Sequence, residues 1–253
     1  MRSMSGHSKW AQIKRQKGVA DIKKGQAFTK FASVITIAVR QGGGIVDPAQ
    51  NFRLRLVIEK ARQMNMPSEN IKRAIQRAAG RDNGGLTEVV YEGFGPGKVG
   101  IMVEATTDNK QRTSGDIRNI FEKRGGSMAS SGAVSYQFEQ KGLISIKKGN
   151  KTIDEIFEKA VEVGAEDIEE AGDEVLIYTK PEDLGRIKAI LEGVFSLTDA
   201  ELARKPVVTI PISDKQTAQK LLALISALED NDDVQKVYAN FEVPDEFIAE
   251  ESA

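Results

Sequence analysis

The chain has 253 residues, of which 40% are hydrophobic and 29% are charged, with a formal net charge of −1, and this length predicts about two or three domains with apolar cores. The absence of cysteine excludes disulfides, thiolate metal sites and cysteine nucleophiles, and it fits a reducing compartment. No apolar run approaches the roughly 18 residues of a membrane span, and no secretory h-region follows the basic start, so we expect a cytoplasmic protein.

The near-zero net charge conceals a strong asymmetry along the chain. Residues 1–81 hold seventeen basic and four acidic residues, a balance of +13, whereas residues 82–253 carry −14. This distribution is typical of chains that contact nucleic acid or acidic membranes.

The most basic stretch, residues 6–18, carries four cations and one tryptophan without an acid. Cations that contact phosphates release condensed counterions, and an aromatic ring can stack on an unpaired base. We predict a basic, flexible arm over residues 1–19 that binds nucleic acid, although many charge runs are only solvated tails. The candidate contact residues in this arm are His7, Lys9, Trp10, Lys14, Arg15 and Lys17.

The next segment, residues 20–81, predicts a small domain of three helices. Apolar residues recur at helical spacing in each helix, and turn residues separate the helices. The predicted boundaries are the glycines at 42–44, a helix start at Asp47 and Pro48, and a further start at Pro67.

The hydrophobic pattern becomes strand-like after a glycine-rich linker at residues 81–85. Two strands joined through Gly93, Gly95 and Gly97 predict a hairpin. A helix capped by residues 107–109 follows, and then a strand at residues 133–138. Near the end of the chain, the pattern predicts strands at residues 207–212 and 234–241 with a helix at 214–228 between them.

The middle of this region predicts the element order strand, helix, strand, strand, helix, strand, which is typical of a ferredoxin-like unit. The predicted fold class is therefore α+β and multidomain. A three-helix domain is followed by an α/β domain, at residues 82–141 and 205–243, that is interrupted by an inserted ferredoxin-like domain at residues 142–204. Residues 244–253 form an acidic tail.

The predicted helices of the first domain carry further basic residues outside their apolar stripes. Ordinary surface helices look similar, but here acids that could partner the cations are nearly absent, which favours a phosphate-binding surface. The candidate contact residues are Lys23, Lys24, Lys30, Arg53, Arg55, Arg73 and Arg77, and we expect Lys60, Arg62 and Lys72 to face solvent on the same surface.

Asn109 and Arg112 lie at a predicted helix N-terminus, where backbone N–H groups attract anions. Helix capping alone would also explain polar residues at this point. The glycines at 93–97 lack the serine or threonine and the helix of a P-loop, so we interpret them as a hairpin turn. His7 is the single histidine and has no partners for a metal site or a catalytic triad. Acid pairs such as Glu169-Glu170 lie in solvated acidic runs without a convergent base, so we expect no catalytic role, no metal, no cofactor and no small-molecule substrate, with carboxylate-bound Mg²⁺ as the alternative that the sequence leaves open.

Short motifs spread over nearly the whole chain resemble the YebC/PmpR family, which includes bacterial probable transcriptional regulators and the mitochondrial translational activator of cytochrome c oxidase. The motifs are Ser5-Gly6-His7-Ser8-Lys9-Trp10, Gly42-Gly43-Gly44, Asn65-Met66-Pro67, Tyr91-Glu92-Gly93, Thr107-Asp108-Asn109 and Arg112-Thr113. The chain departs from the family pattern at Phe94, where tyrosine is common, and at Lys110-Gln111, where Arg-Asn is common.

The resemblance implies a three-domain cytoplasmic protein without a catalytic role, usually described in bacteria as a DNA-binding regulator. We therefore expect a non-enzymatic nucleic-acid-binding regulator of gene expression, with DNA as the target. One alternative is a translation factor that binds ribosomal RNA or tRNA on the ribosome and relieves stalling. Another is a protein-interaction scaffold whose basic head neutralises its own acidic body or an acidic partner.

Overall fold

The computed structural model describes residues 21–80, 85–244 and 247, with the side chains of residues 21–24 outside the description. Three helices, α1 (Asp21–Gln41), α2 (Phe52–Gln63) and α3 (Ser68–Ala79), form the first unit. Their apolar stripes meet in one core that includes Ile35 and Leu54. The helix ends at the glycines of residues 42–44 and the helix start after Pro67 are confirmed.

The second helix begins later than the sequence indicated. Asp47 and Pro48 were predicted to open this helix, but the Asp47 carboxylate accepts a hydrogen bond from the Ala49 amide at 2.9 Å and forms a separate turn. Asn51 is the N-cap, accepting from Leu54 N at 3.1 Å. Its buried side-chain amide also donates to the Ala38 carbonyl at 3.0 Å, so this cap joins α2 to α1.

The second unit is built on an antiparallel sheet in the order β3-β1-β2-β9. Its elements are β1 (Thr87–Phe94), β2 (Gly100–Thr107), α4 (Lys110–Lys123) and β3 (Ser127–Ala129), followed much later by α7 (Lys215–Glu229) and β9 (Val234–Ala239). Helices α4 and α7 cover one face of this sheet through residues such as Phe121 and Leu221. The predicted hairpin between β1 and β2 is confirmed.

The inserted unit is a four-stranded antiparallel sheet in the order β5-β6-β4-β7. Its elements are β4 (Phe138–Lys147), α5 (Ile153–Glu162), β5 (Asp167–Ala171), β6 (Glu174–Thr179), α6 (Leu184–Glu192) and β7 (Leu197–Pro206). With its two helices packed against Ile144 and Ile177, this is the ferredoxin-like arrangement. The predicted fold class is confirmed.

The two sheets pack against each other through the faces that carry no helices. Met102 and Tyr238 of the first sheet contact a cluster that includes Phe138 and Ala203 of the second. The long strands β4 and β7 pair from Phe138 opposite Pro206 and run from one unit into the other. The predicted boundaries at residues 141/142 and 204/205 therefore lie within these two strands.

Two predicted strands were wrong. Residues 133–138 do not form a strand before Phe138, because a 3₁₀ turn, Ser135–Gln137, occupies this segment. The buried Glu92 carboxylate accepts hydrogen bonds from the amides of Gly132, Val134 and Ser135, which removes these amides from any ladder.

The second wrong strand lies between β7 and α7. Of residues 207–212, only the two-residue strand β8 (Ile210–Pro211) pairs, in parallel with β10 (Phe241–Glu242). Val207 and Val208 are exposed, and the Val207 amide donates to the Gln137 carbonyl at 2.8 Å. This segment therefore bridges the two units instead of extending a sheet.

Glu92 gives the fold a pH-dependent contribution. Burial of its carboxyl group, which alone would raise the pKa, is outweighed by the hydrogen bonds from Gly132, Val134 and Ser135, so the pKa of Glu92 is lowered. We expect Glu92→Gln to lower the free energy of unfolding by about 1.5–3 kcal/mol at neutral pH, the usual worth of hydrogen bonds to a charged group.

A lowered folded pKa means that this stabilisation is present above the pKa of the unfolded carboxyl and is lost as the pH falls through the folded value. Urea unfolding of both proteins over the acid range measures the difference. A gap that stays constant down to the lowest pH at which the chain folds contradicts this account.

Gly93 is a second point at which the hairpin depends on close packing. A Cβ atom at this position would lie 2.7 Å from both Phe121 Cε1 and the Ser127 carbonyl oxygen. We expect Gly93→Ala to lower the free energy of unfolding by about 1–3 kcal/mol because the backbone oxygen cannot move freely. The matched control is Gly115→Ala in α4, where no atom lies within 4 Å, and it should stabilise slightly. Equal urea midpoints for the two variants would contradict this packing argument.

Candidate nucleic-acid interface

The first half of α2 exposes two arginines whose stems are held by neutral groups. Arg53 donates to the Gln41 side-chain oxygen of α1. The Arg55 guanidinium lies 5.3 Å from the centre of the Phe52 ring and 3.4 Å from the Pro48 carbonyl oxygen. Neither contact involves a carboxylate, so both guanidinium groups keep their charge available to an anion.

The outer face of α3 carries a row of exposed cations. Arg73 and Arg77 are spaced by one helical turn and therefore share a face. Arg73 donates to the side-chain oxygen of Asn70, also a neutral group. Lys72 is exposed beside them. Its exposure follows from its place outside the apolar stripe of α3.

The exposed cations of this surface have few acidic neighbours. In residues 25–80, no exposed arginine or lysine lies within 4 Å of a carboxylate oxygen of the described residues, whereas ion pairs such as Lys141–Glu166 at 3.0 Å are frequent in the sheet units. This segment has three acids: Asp47 caps its own turn, Glu59 is paired with Lys188 at 3.0 Å, and Glu69 is exposed in the first turn of α3. The surface therefore carries an excess of positive charge that Glu69 offsets only in part.

Lys60 is the exception among the cations of α2. Its ammonium group contacts Glu201 and lies 2.8 Å from the Asp199 carboxylate, both on β7. Glu201 is also 3.1 Å from Lys236 of β9. These four side chains form a charged junction at which the three units meet, and Lys60 is not available to a ligand.

The junction shifts the pKa values of Glu201, Lys60 and Lys236. Burial alone would raise the pKa of Glu201, but Lys236 and Lys60 outweigh it and hold that pKa well below its usual range. Burial alone would lower the pKa of Lys60, but Glu201 and Asp199 reverse this effect and raise it. Glu201 and Lys60 are thus charged at neutral pH.

The remaining predicted contact residues have varied positions. Lys30 donates to the Glu229 carbonyl at 2.6 Å and joins α1 to α7. Lys23 and Lys24 lie at the start of α1, and their side chains are outside the described residues. The predicted arm residues His7, Lys9, Trp10, Lys14, Arg15 and Lys17 also lie outside the described residues.

Asn109 and Arg112 lie at the start of α4, on a different unit from the arginine surface. Asn109 is the N-cap and accepts from the Arg112 amide at 3.1 Å. The Arg112 guanidinium lies 2.9 Å from Asp233 and 3.0 Å from Asp108. Two carboxylates thus already neutralise this arginine, and the contacts match the capping alternative rather than a free anion site.

Membrane-spanning helices and metal-ion sites are both absent from the described ranges. No helix there is long and apolar enough to cross a membrane. In the same ranges, no group of three or more His, Asp or Glu side chains is placed to hold a metal ion.

A cationic three-helix unit joined to two packed α/β units defines a multidomain α+β protein that presents positive charge from one end. Comparison with known proteins identifies the group more closely. The description "TACO1/YebC protein N-terminal domain" matches residues 8–81, and "TACO1/YebC second and third domain" matches residues 86–241. The chain belongs to the TACO1/YebC family, and the resemblance read from the sequence motifs is confirmed.

Individual relatives cover almost the entire chain. A protein of Sulfurihydrogenibium sp. (strain YO3AOP1) is 52% identical over 97% of this chain and 98% of its own length, and one of Aquifex aeolicus is 47% identical over the same shares; both are named probable transcriptional regulatory proteins. The crystal structure of a conserved hypothetical protein from Aquifex aeolicus is similar, with a TM-score of 0.83 and 44% identity. The match covers 89% of this chain and 93% of that one.

Proposed function

We propose that the protein is a non-enzymatic regulator of gene expression that binds the phosphate backbone of nucleic acid, with duplex DNA as its target. The observation that carries this proposal is the set of exposed cations on α2 and α3 that have no carboxylate of the described residues within 4 Å. The names of the relatives, which describe probable transcriptional regulators, support the regulatory part.

The charge arrangement explains how binding would be driven. A cation that already contacts a carboxylate gains little from a phosphate, because the first ion pair must be broken. Arg53 and Arg73 contact neutral acceptors, and Arg55 contacts an aromatic ring. Each guanidinium can therefore neutralise a phosphate and release a counterion.

The connection between α2 and α3 favours DNA as the ligand. Residues 64–67 join the two helices, which is the length of the turn in helix-turn-helix proteins. In such motifs the second helix enters the major groove. Here that position belongs to α3, whose exposed face carries Arg73, Gln76 and Arg77, residue types that hydrogen-bond to guanine and adenine edges.

Ribosomal RNA is the second candidate ligand, in a translation factor that acts on the ribosome. The observation that favours it is that cationic side chains outnumber free amide side chains on α3. The Asn70 amide oxygen already accepts a hydrogen bond from Arg73. A surface of this kind contacts phosphates without reading a sequence, as in shape-based recognition of folded RNA.

The two candidates are separated by measuring binding of the full chain to mixed-sequence duplex DNA, to a selected operator duplex and to purified ribosomes at physiological salt. Sequence-selective DNA binding supports the transcriptional proposal. Ribosome binding together with weak, sequence-blind DNA binding replaces it with the translational one. A chain that binds neither would be the interaction scaffold considered from the sequence. Repeating each measurement without residues 1–18 determines the contribution of the basic arm.

A further inference from the structure

The tip of the β1–β2 hairpin holds a lysine in a backbone conformation that lysine rarely adopts. Gly97 and Lys98 both have positive φ, 73° and 62°, and the Lys98 amide donates to the Gly95 carbonyl at 3.1 Å. In the described part of the chain, Asn65 is the other non-glycine residue with positive φ. Asparagine tolerates this region, whereas a lysine there is strained, and strain of this kind concentrates at functional sites.

The strained turn lies beside a second pair of cations. A Cβ on Gly125 would lie 4.0 Å from the Pro96 ring, and one on Gly126 would lie 2.8 Å from the Phe94 carbonyl oxygen, so the chain after α4 runs along the tip. Lys123 and Arg124 end α4 immediately before these glycines, and both side chains are exposed. The tip thus presents three cations from two adjacent segments.

The tip cluster, defined as Lys98, Lys123 and Arg124, has few nearby acids. No carboxylate of the described residues lies within 4 Å of these three cations. The neighbouring acids are Glu122, on the same helix, and Asp214, whose carboxylate caps α7 by accepting from Thr217 N at 2.8 Å. Lys220 of α7 is a further exposed cation that interacts with Asp214.

We propose that the tip cluster is a second phosphate-binding site, with the left-handed Lys98 as its central contact. This inference rests on the proposed function, since the ligand is the phosphodiester backbone of the same nucleic acid. Two cationic surfaces on different units of one chain bind a long polyanion more tightly than either does alone. The α/β units, which are acidic overall, thus present one local cluster of cations to the nucleic acid.

The test exploits the strain at Lys98. Glycine adopts positive φ without cost, so Lys98→Gly removes the charge while relieving the backbone. We expect the dissociation constant for a mixed-sequence DNA duplex to rise about three- to tenfold at physiological salt, with the salt slope reduced by about 0.9 for the lost contact. The melting temperature should be unchanged or higher, so the loss of affinity cannot be assigned to unfolding. Lys98→Arg should bind as the intact chain does.

A second test variant, Lys98→Asn, removes the charge and places at this position a residue that tolerates positive φ. Its matched control is Lys180→Asn, which removes an exposed lysine from the inserted unit. Weakening by Lys98→Asn but not by Lys180→Asn supports the site. Equal weakening by both, or binding by Lys98→Gly as tight as that of the intact chain, overturns it. If Arg73→Gln/Arg77→Gln weakens binding and Lys98→Gly does not, only this inference fails. If the intact chain binds neither duplex DNA nor ribosomal RNA, the proposed function fails as well.

Discussion

Replacing Arg73 and Arg77 of α3 with glutamine should weaken binding of the full chain to duplex DNA by about ten- to a hundredfold at physiological salt. The two guanidinium groups share an exposed face and have no carboxylate partner among the described residues, so the full charge of each is available to a phosphate. Adding Arg53→Gln and Arg55→Gln should deepen the loss, with the salt slope falling by about 0.9 for each contact removed.

The control for this experiment neutralises two cations that are already paired. Lys148 contacts Glu170, and Lys159 lies 2.8 Å from Glu162. The double variant Lys148→Gln/Lys159→Gln changes the net charge by the same amount and should bind DNA almost as the intact chain does. Because all these residues are on the surface, unfolding free energies should shift by only about 0.5 kcal/mol. If the control weakens binding as much as the α3 variant does, the arginine surface has no special role.

Replacing Glu201 with glutamine should lower the free energy of unfolding by about 3 kcal/mol, at the lower end of the cost of breaking a buried ion pair because 21% of the Glu201 side chain is exposed. Glu201 is the common partner of Lys60 and Lys236 at the junction of the three units. Its removal leaves two partly buried cations facing each other, with Asp199 beside Lys60 and with Glu104 and Asp199 near Lys236.

The pH dependence of this penalty follows from the directions of the pKa shifts. The pKa of Glu201 is lowered, so its contribution is present above the pKa of the unfolded carboxyl and is lost in acid, as the pH falls through the folded value. The pKa of Lys60 is raised, so its contribution is present below the pKa of the unfolded amine and is lost as the pH rises through the folded value. The penalty should therefore be constant across the neutral range.

Chemical denaturation of the intact chain, Glu201→Gln, Lys60→Met and the double variant forms a thermodynamic cycle. We expect the double variant to be less destabilised than the sum of the single variants by about 1–3 kcal/mol, because the second change removes a charge that the first left unpaired. Additive effects would show that the junction is not an energetic unit.

The sequence predicted those parts of the fold that depend on local pattern. The apolar stripe around Ile35 placed α1, and the glycines of the β1–β2 hairpin placed its turn. Predictions were wrong where the backbone forms hydrogen bonds with a side chain that is distant in sequence. The Glu92 carboxylate accepts hydrogen bonds from amides in residues 132–135, so these residues do not form a strand. The Asn51 side chain donates to the Ala38 carbonyl and caps α2, which therefore begins after Asp47 and Pro48.

The candidate interface was predictable to a similar extent. Arg53, Arg55, Arg73 and Arg77 lie outside the apolar stripes, and the structure places all four on the surface. The partners of a cation are set by tertiary packing, so no local pattern showed that Arg112 meets Asp233, which is 121 residues away. Tertiary packing also sets the ion pairs of Lys60 and the left-handed conformation of Lys98, so neither could be predicted from the local sequence.

The salt dependence of DNA binding by the full chain tests the central claim most directly, namely that unpaired cations of the helical unit neutralise nucleic-acid phosphates. With four arginines contacting phosphates, we expect log K to fall with log salt at a slope of about −3.6 or steeper, and the slope should become shallower in the Arg73→Gln/Arg77→Gln variant. A flat response to salt, or an equal slope for the intact chain and this variant, would contradict the account.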